Sequence, residues 1–366
     1  MLTVDAVVPF LLERGLIEER RIVDGALQVI DVSRKHHNFK LLGDDEPGFF
    51  LKQGVGREGA HAVDHEARLY EWFRMHPAAD RLSELLPRCR LYDAGERTVV
   101  LDLVEDAQSL YEYHRRHRRL TQAIGRALGD SLATLHELTT PGLSATPSGQ
   151  AVPERAAVFL LQHRPSLEAR MTTSAGGLEV VRRIQRSEEL CRALDRLHEN
   201  WREPCVIHGD LRLDNCQLVA IAVRGRPPRV QFVDWEMGGV GDPAWDIGSI
   251  FAECLSAWLL SAPATRDSAP DDFLRLSRLP LQGIRPAMRA FWRSYVGRRQ
   301  WDAETAAQWL ERSVQYAGAR LIQTACEEMQ GRLRVPANVI YMVQLSWNVI
   351  ERPREAATVL LGVSDA

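Results

Sequence analysis

Eight residues past the middle of the chain, His208-Gly209-Asp210-Leu211-Arg212-Leu213-Asp214-Asn215, have types and spacing that could carry out phosphoryl transfer. A carboxylate at 210 can accept the proton of an attacking hydroxyl. An amide oxygen five positions later, at Asn215, can hold a magnesium ion against the phosphates. With each residue type near 5% in frequency, His-Gly-Asp-x4-Asn arises by chance on the order of once in 10⁵ windows, so a polar surface turn is the weaker reading. Downstream, Val230-Gln231-Phe232-Val233-Asp234-Trp235-Glu236 alternates as a strand and ends in a carboxylate. Alone, Asp234 would read as a turn residue. Just after a hairpin that begins at Asn215 it becomes a second metal ligand, able to reach an ion bridging the β- and γ-phosphates.

A nucleotide triphosphate also needs a cation on its α- and β-phosphates, held by a carboxylate from a neighbouring helix. Lys52, in Phe50-Leu51-Lys52-Gln53, and Glu66, in Asp64-His65-Glu66-Ala67, occur in the right order before the Asp210 segment. Taken singly, they are a surface strand lysine and a solvated helix glutamate, and Glu58 and Asp64 are rival partners. Gly241-Asp242-Pro243-Ala244-Trp245-Asp246 opens a helix, with Asp242 as N-cap and Pro243 in the first helical position. A buried carboxylate at Asp246 would be structural, accepting hydrogen bonds from the backbone around Asp210.

These groups need elements to carry them. Apolar spacing predicts a helix over residues 3–16, then strands over 26–32, 38–42 and 49–52, the last after a Pro47-Gly48 turn. A helix over 59–75 carries Glu66, and strands at 89–93 and 98–104 follow. After Asp106 the pattern turns helical, with candidates at 108–117, 121–138, 154–170 and 178–200. The Pro141–Pro153 segment reads as a loop, and strands near 216–221 and 229–233 are joined by an Arg224–Pro228 turn. The expected class is α+β. An N-terminal lobe over residues 1–106 has an antiparallel sheet plus helix, and a larger, mainly helical lobe spans 107–366.

Composition narrows the class of protein. With 366 residues, 45% hydrophobic and 26% charged, the chain can fill a two-lobed interior. A net charge of -3 provides no basic field for nucleic acid. The basic run His114–Arg119 reads as a solvated helix end rather than a polyanion site. The six cysteines show no CxxC pairing and no metal spacing. The N-terminus lacks a signal-peptide pattern, and Ile250–Leu260 is too short to span a bilayer, so the expected location is the cytoplasm. Oligomeric state is not legible.

Together, His208–Asn215, Val233-Asp234-Trp235-Glu236 and Gly241–Asp246 resemble the aminoglycoside phosphotransferase superfamily, which includes choline and homoserine kinases. The resemblance implies a bilobal protein-kinase-like fold and an O-phosphotransferase using ATP and Mg²⁺. It implies Asp210 as catalytic base, Asn215 and Asp234 as metal ligands, and Lys52 with Glu66 as the phosphate-binding pair. It places adenine at a hinge over residues 101–106, against the backbone of Leu103, Val104 and Glu105. The glycine-rich phosphate loop of protein kinases is missing, as in aminoglycoside phosphotransferases. In its place is the bend Ser33-Arg34-Lys35-His36-His37-Asn38, where Ser33, Arg34 or Lys35 touches phosphate or the bend is an exposed hairpin tip. Two acceptors are compatible with these residues. One is a hydroxyl-bearing small molecule, for which Glu236, Glu253, Asp271 and Asp272 are acidic candidates if it is polycationic. The other is a Ser or Thr of a ribosomally made precursor peptide, suggested by a fainter resemblance in the N-terminal helix and the basic bend. A third reading is a nucleotide-binding pseudokinase without turnover, against which the joint presence of Lys52, Asp210, Asn215 and Asp234 argues.

Overall fold

The computed structural model describes residues 1–23, 27–33, 36–43, 48–104, 107–140, 152, 158–166, 169, 171, 173–219, 227–263 and 275–364. Helix α1 (Val4–Glu13) precedes strands β1 (Gln28–Asp31), β2 (His37–Leu42) and β3 (Phe49–Gln53). Helix α2 (Gly56–Met75) follows, then β4 (Cys89–Asp93) and β5 (Thr98–Asp102). The five strands form one antiparallel sheet in the order β1-β2-β3-β5-β4. Their alternation explains the layering: Phe39, Leu41, Phe49, Leu51 and Val100 face α1, where they meet Leu2, Val7, Phe10 and Leu11. Val99 and Leu101 belong to the main core with Val63, Leu69, Trp72 and Phe73 of α2.

The second lobe begins with the two-residue strand β6 (Gln108–Ser109) and helices α3 (Leu110–His117) and α4 (Gln122–Thr139). Helices α5 (Ala175–Gln185) and α6 (Glu188–Glu199) occupy the stretch predicted as one helix over 178–200. The chain breaks there because the Ser187 hydroxyl accepts the Leu190 amide and starts a new helix. Strands β7 (Cys205–Ile207), β8 (Cys216–Val219), β9 (Arg229–Phe232) and β10 (Gly239–Gly241) form two small antiparallel groups, β6-β8-β9 and β10-β7. Helices α7 (Pro243–Leu260), α8 (Arg285–Arg299), α9 (Ala303–Glu327) and α10 (Ala337–Glu351) complete the lobe. Val158–Leu161 forms a short 3₁₀ turn inside the stretch predicted as a helix over 154–170, of which residues 154–157, 167, 168 and 170 lie outside the described residues. So do residues 141–151 of the predicted loop and 224–226 of the predicted turn. Among the described residues no helix is long and apolar enough to cross a membrane.

Candidate active site

The register of β3 sets Lys52 opposite Asn38 on β2 and Val99 on β5, with its side chain only 4% exposed. The ammonium lies 2.9 Å from Glu66 Oε2 and 2.9 Å from Glu236 Oε2, and it also contacts Asp234 Oδ1. Burial alone would drive its proton off. The three carboxylates outweigh that and hold its pKa well above the ordinary lysine range. Burial pushes the Glu66 carboxyl up, against the pull of Lys52. Glu66 Oε1 also accepts the Trp235 amide at 3.1 Å, which ties α2 to the segment after β9. The rivals are elsewhere: Glu58 is exposed, and Asp64 accepts Arg68 and the Tyr92 hydroxyl. Three carboxylates thus converge on one ammonium, which leaves local negative charge in excess.

The Asp210 segment follows β7. Gly209 has φ +79°, and a Cβ on it would lie 2.3 Å from the Met237 carbonyl oxygen, so only glycine fits this turn. Asp246, fully buried near the start of α7, accepts the His208 amide at 2.7 Å and the Gly209 amide at 3.0 Å. The structural role predicted for Asp246 is the one observed. Asp242 accepts the Ala244 amide at 3.0 Å ahead of Pro243, the cap read from sequence. The Trp245 indole donates to the Gly209 carbonyl at 2.8 Å, and His208 Nε2 lies 2.9 Å from the Val233 carbonyl. Asn215 donates its amide N–H to the Asp210 carbonyl at 2.9 Å, which leaves its Oδ1 as the atom available to a cation. The Val233 amide donates to the Asn215 carbonyl at 3.0 Å. Asp234 comes next, at φ +68°, a conformation unusual for a non-glycine residue, with 42% of its side chain exposed. Lys52, Glu66, Asp210, Asn215 and Asp234 are therefore joined in one chain of ion pairs and hydrogen bonds that passes through the backbone of Val233. Asn215 Oδ1 and Asp234 are hard oxygen donors of the kind magnesium prefers, though among the described residues no group of three or more His, Cys, Asp or Glu side chains is arranged to hold a metal ion.

Asp210 keeps 21% of its side chain exposed. Its Oδ1 accepts Arg320 Nη2 at 2.8 Å and Arg212 Nε at 3.2 Å. Desolvation raises its pKa, but Arg320, Arg212 and His208 prevail and hold it below the usual aspartate value. Glu253, from α7, accepts the Leu213 amide at 3.2 Å, and burial pushes its carboxyl up against the pull of Arg320 and Arg212. Two of the acidic residues considered for a polycationic acceptor are thus engaged internally, Glu236 by Lys52 and His36, and Glu253 by the loop. Asp271 and Asp272 lie outside the described residues.

Ser33 is exposed and closes the β1–β2 bend on itself, with its hydroxyl 3.1 Å from the Asn38 amide. Arg34 and Lys35 lie outside the described residues. The bend instead sends His36 inward, where its Nε2 lies 2.8 Å from Glu236 Oε2. At the hinge the Leu103 amide donates to the Gly48 carbonyl at 2.9 Å, so this N–H is held within the first lobe. That leaves the Leu103 carbonyl and the Val104 backbone for a base edge, while Glu105 lies outside the described residues. Sequence reasoning missed four participants: His36, Glu236 as a partner of Lys52, and Arg320 and Glu327 on α9. Glu236 stood two residues from Asp234 and could have been found there.

Comparison with known proteins places the fold and the family. No curated protein matches the sequence significantly. A choline kinase from Cryptosporidium parvum superimposes with a TM-score of 0.57 at 10% identity, covering 98% of this chain and 99% of that one. A thermostable mutant of the aminoglycoside phosphotransferase APH(4)-Ia, in ternary complex with ADP and hygromycin B, gives 0.51 at 14% identity over 94% and 98%. A choline/ethanolamine kinase family protein from Mesorhizobium loti gives 0.50 at 15% over 89% of each. At such low identity these likenesses establish the fold, which is bilobal and protein-kinase-like. The model of the phosphotransferase enzyme family matches residues 27–291, most of the chain. The chain therefore belongs to the phosphotransferase enzyme family, and it is a kinase that uses an alcohol group as acceptor.

Proposed function

We propose that the protein transfers the γ-phosphate of Mg·ATP to a hydroxyl of a small-molecule acceptor in the cleft between its lobes. The observation that carries this reading is the bonded path from Lys52 through Asp234, Val233 and Asn215 to Asp210. Lys52, braced by Glu66, neutralises the α- and β-phosphates. Asn215 Oδ1 and Asp234 would hold the magnesium ion, which would supply charge neutralisation on the phosphates. Asp210 orients the acceptor hydroxyl. It takes the proton from that oxygen as a bond to the γ-phosphorus forms and the bond to the β-phosphate oxygen breaks. A carboxylate below its usual pKa is a weak base, which suits a loose transition state in which the hydroxyl proton leaves late. The adenine edge is read by the Leu103 carbonyl and the backbone at Val104.

The test uses Mg·ATP with a panel of choline, ethanolamine, hygromycin B and a Ser/Thr peptide. Asp210→Asn should lower kcat by about 10²–10⁴-fold and leave Mg·ATP affinity nearly unchanged. Asp234→Asn should weaken Mg·ATP binding as well as turnover. Wild-type turnover by either variant contradicts the assignment, and transfer to the peptide alone would replace the small-molecule acceptor.

A further inference from the structure

Asp210 belongs to a closed ring of four charges. Arg320 and Arg212 both bind its Oδ1, at 2.8 Å and 3.2 Å. Both arginines then continue to Glu327: Arg320 Nη1 lies 3.2 Å from Oε1, and Arg212 Nη2 contacts Oε2. Arg320 and Glu327 are seven residues apart on α9, on one face of the helix, and Gln323 between them donates to Glu327 Oε1 at 2.9 Å. Arg320 is 0% exposed, midway along a helix whose neighbouring positions Ala317, Ala319, Leu321 and Ile322 are core. A guanidinium in such a place is rare, and it persists only where carboxylates compensate its lost hydration. Here those carboxylates are Asp210 and Glu327. The ring also accounts for Asp210's own geometry. Its Oδ1 is occupied twice, whereas Oδ2 accepts no hydrogen bond from any described residue. The two α9 members lie beyond residue 291, where the family match ends.

We propose that Arg320 is the positioning residue for Asp210, and that Arg320, Glu327 and Arg212 fix Oδ1 so that Oδ2 is presented to the acceptor hydroxyl. This rests on Asp210 acting as the base. A guanidinium is suited to the task because its rigid fork spans both carboxylates at once, which an ammonium does not. The other charged groups nearby do not compete for Oδ1. Glu253 is held by the Leu213 amide, and the His208 ring is turned to the Val233 carbonyl.

The experiment uses the full chain and two readouts that do not need the acceptor: Mg·ATP affinity, by displacement of a fluorescent ATP analogue, and Mg·ATP hydrolysis, in which water is the hydroxyl. Arg320→Gln should lower kcat for hydrolysis by on the order of 10²-fold, the size expected when a reacting group is misplaced by about an ångström. Its Mg·ATP dissociation constant should stay within about twofold of wild type, because a positioning role separates kcat from binding. Arg320→Lys should recover part of the rate. Glu327→Gln, at a position 26% exposed and tolerant of change, should lower kcat by about tenfold and decides the matter if Arg320→Gln does not fold. Wild-type kcat in the folded variants overturns the proposal. So does an equal loss of affinity and rate, which would mark the ring as a brace for the lobe. If the wild-type protein neither binds nor hydrolyses Mg·ATP, the proposed function fails first and the role of Arg320 falls with it.

Discussion

Replacing Asp246 by Asn tests whether one buried carboxylate shapes the loop that carries Asp210. Asp246 Oδ1 receives the Gly209 amide at 3.0 Å, and Oδ2 receives the His208 amide at 2.7 Å and faces His136 Nε2 at 3.3 Å. An asparagine keeps one of these oxygens and substitutes an NH₂ for the other. If the oxygen stays at the Oδ2 position, the Gly209 amide loses its acceptor and meets a donor. If it stays at Oδ1, the His208 amide does so and His136 loses its partner. Either way at least one hydrogen bond to the carboxylate disappears, worth about 1.5–3 kcal/mol, the bond that remains loses its charge assistance, and a buried donor is left opposite another donor. The expected cost is therefore about 3 kcal/mol, read as a lower urea midpoint at unchanged m. The loop at Gly209 would relax to restore its amide, displacing Asp210, so Mg·ATP hydrolysis should drop on the order of 10²-fold even where the variant is fully folded. A variant within about 0.5 kcal/mol of wild type would refute the claim that these bonds hold the loop, because changes of that size are typical of surface positions.

Two further perturbations follow from the same geometry. Gly209→Ala forces a left-handed backbone and a Cβ at 2.3 Å from the Met237 oxygen, so it should cost about 2–4 kcal/mol in urea unfolding and reproduce the rate defect of Asp246→Asn; a neutral result would remove the steric argument. His114, buried on α3 with neither ring nitrogen hydrogen-bonded among the described residues, has its pKa lowered by burial to about 4. Its folded pKa lies below its unfolded one, so its contribution is fully present above about pH 6.5 and is lost as pH falls toward 4, amounting to about 2 kcal/mol by pH 5. His114→Leu should lack that share of the acid destabilisation between pH 7 and 5, measured by urea midpoints at both values, and an unchanged pH dependence would contradict it.

The parts of the site that sequence exposed are the ones whose chemistry is local. Asp210 and Asn215 are five residues apart because one turn must aim both, and Asp234 lies two residues beyond a strand that pairs with the one starting at Cys216. Lys52 and Glu66 were legible through order alone: a strand end and the next helix. Asp246 could be read because its helix begins with an unmistakable Asp-Pro start. By contrast, Arg320 lies 110 residues from Asp210, and although it stands among buried positions of its helix, no local signal names a partner so remote. His36 was hidden in a run of basic residues that read equally well as a solvated tip. The strand β10 is three residues with two glycines, too short for any periodicity, and it exists because it pairs with β7. The break at Ser187 was missed because the apolar repeat runs across it. Propensity cannot show that a serine side chain caps instead of facing water.

The main apolar core does not respect the boundary between the lobes. Phe73 of α2 meets the Trp235 ring edge-on at 4.9 Å, and the backbone of Leu85 accepts the Phe232 amide at 2.8 Å. Val99 and Leu101 belong to that same core, whereas the opposite sheet face has its own small cluster beneath α1. A fragment ending near residue 106 would carry half of someone else's interior on its surface and should be recovered as aggregate. Lys52 and Glu66 therefore stand on two elements, β3 and α2, whose sheet and helix are tied together through Val99 and Leu101 in that shared core.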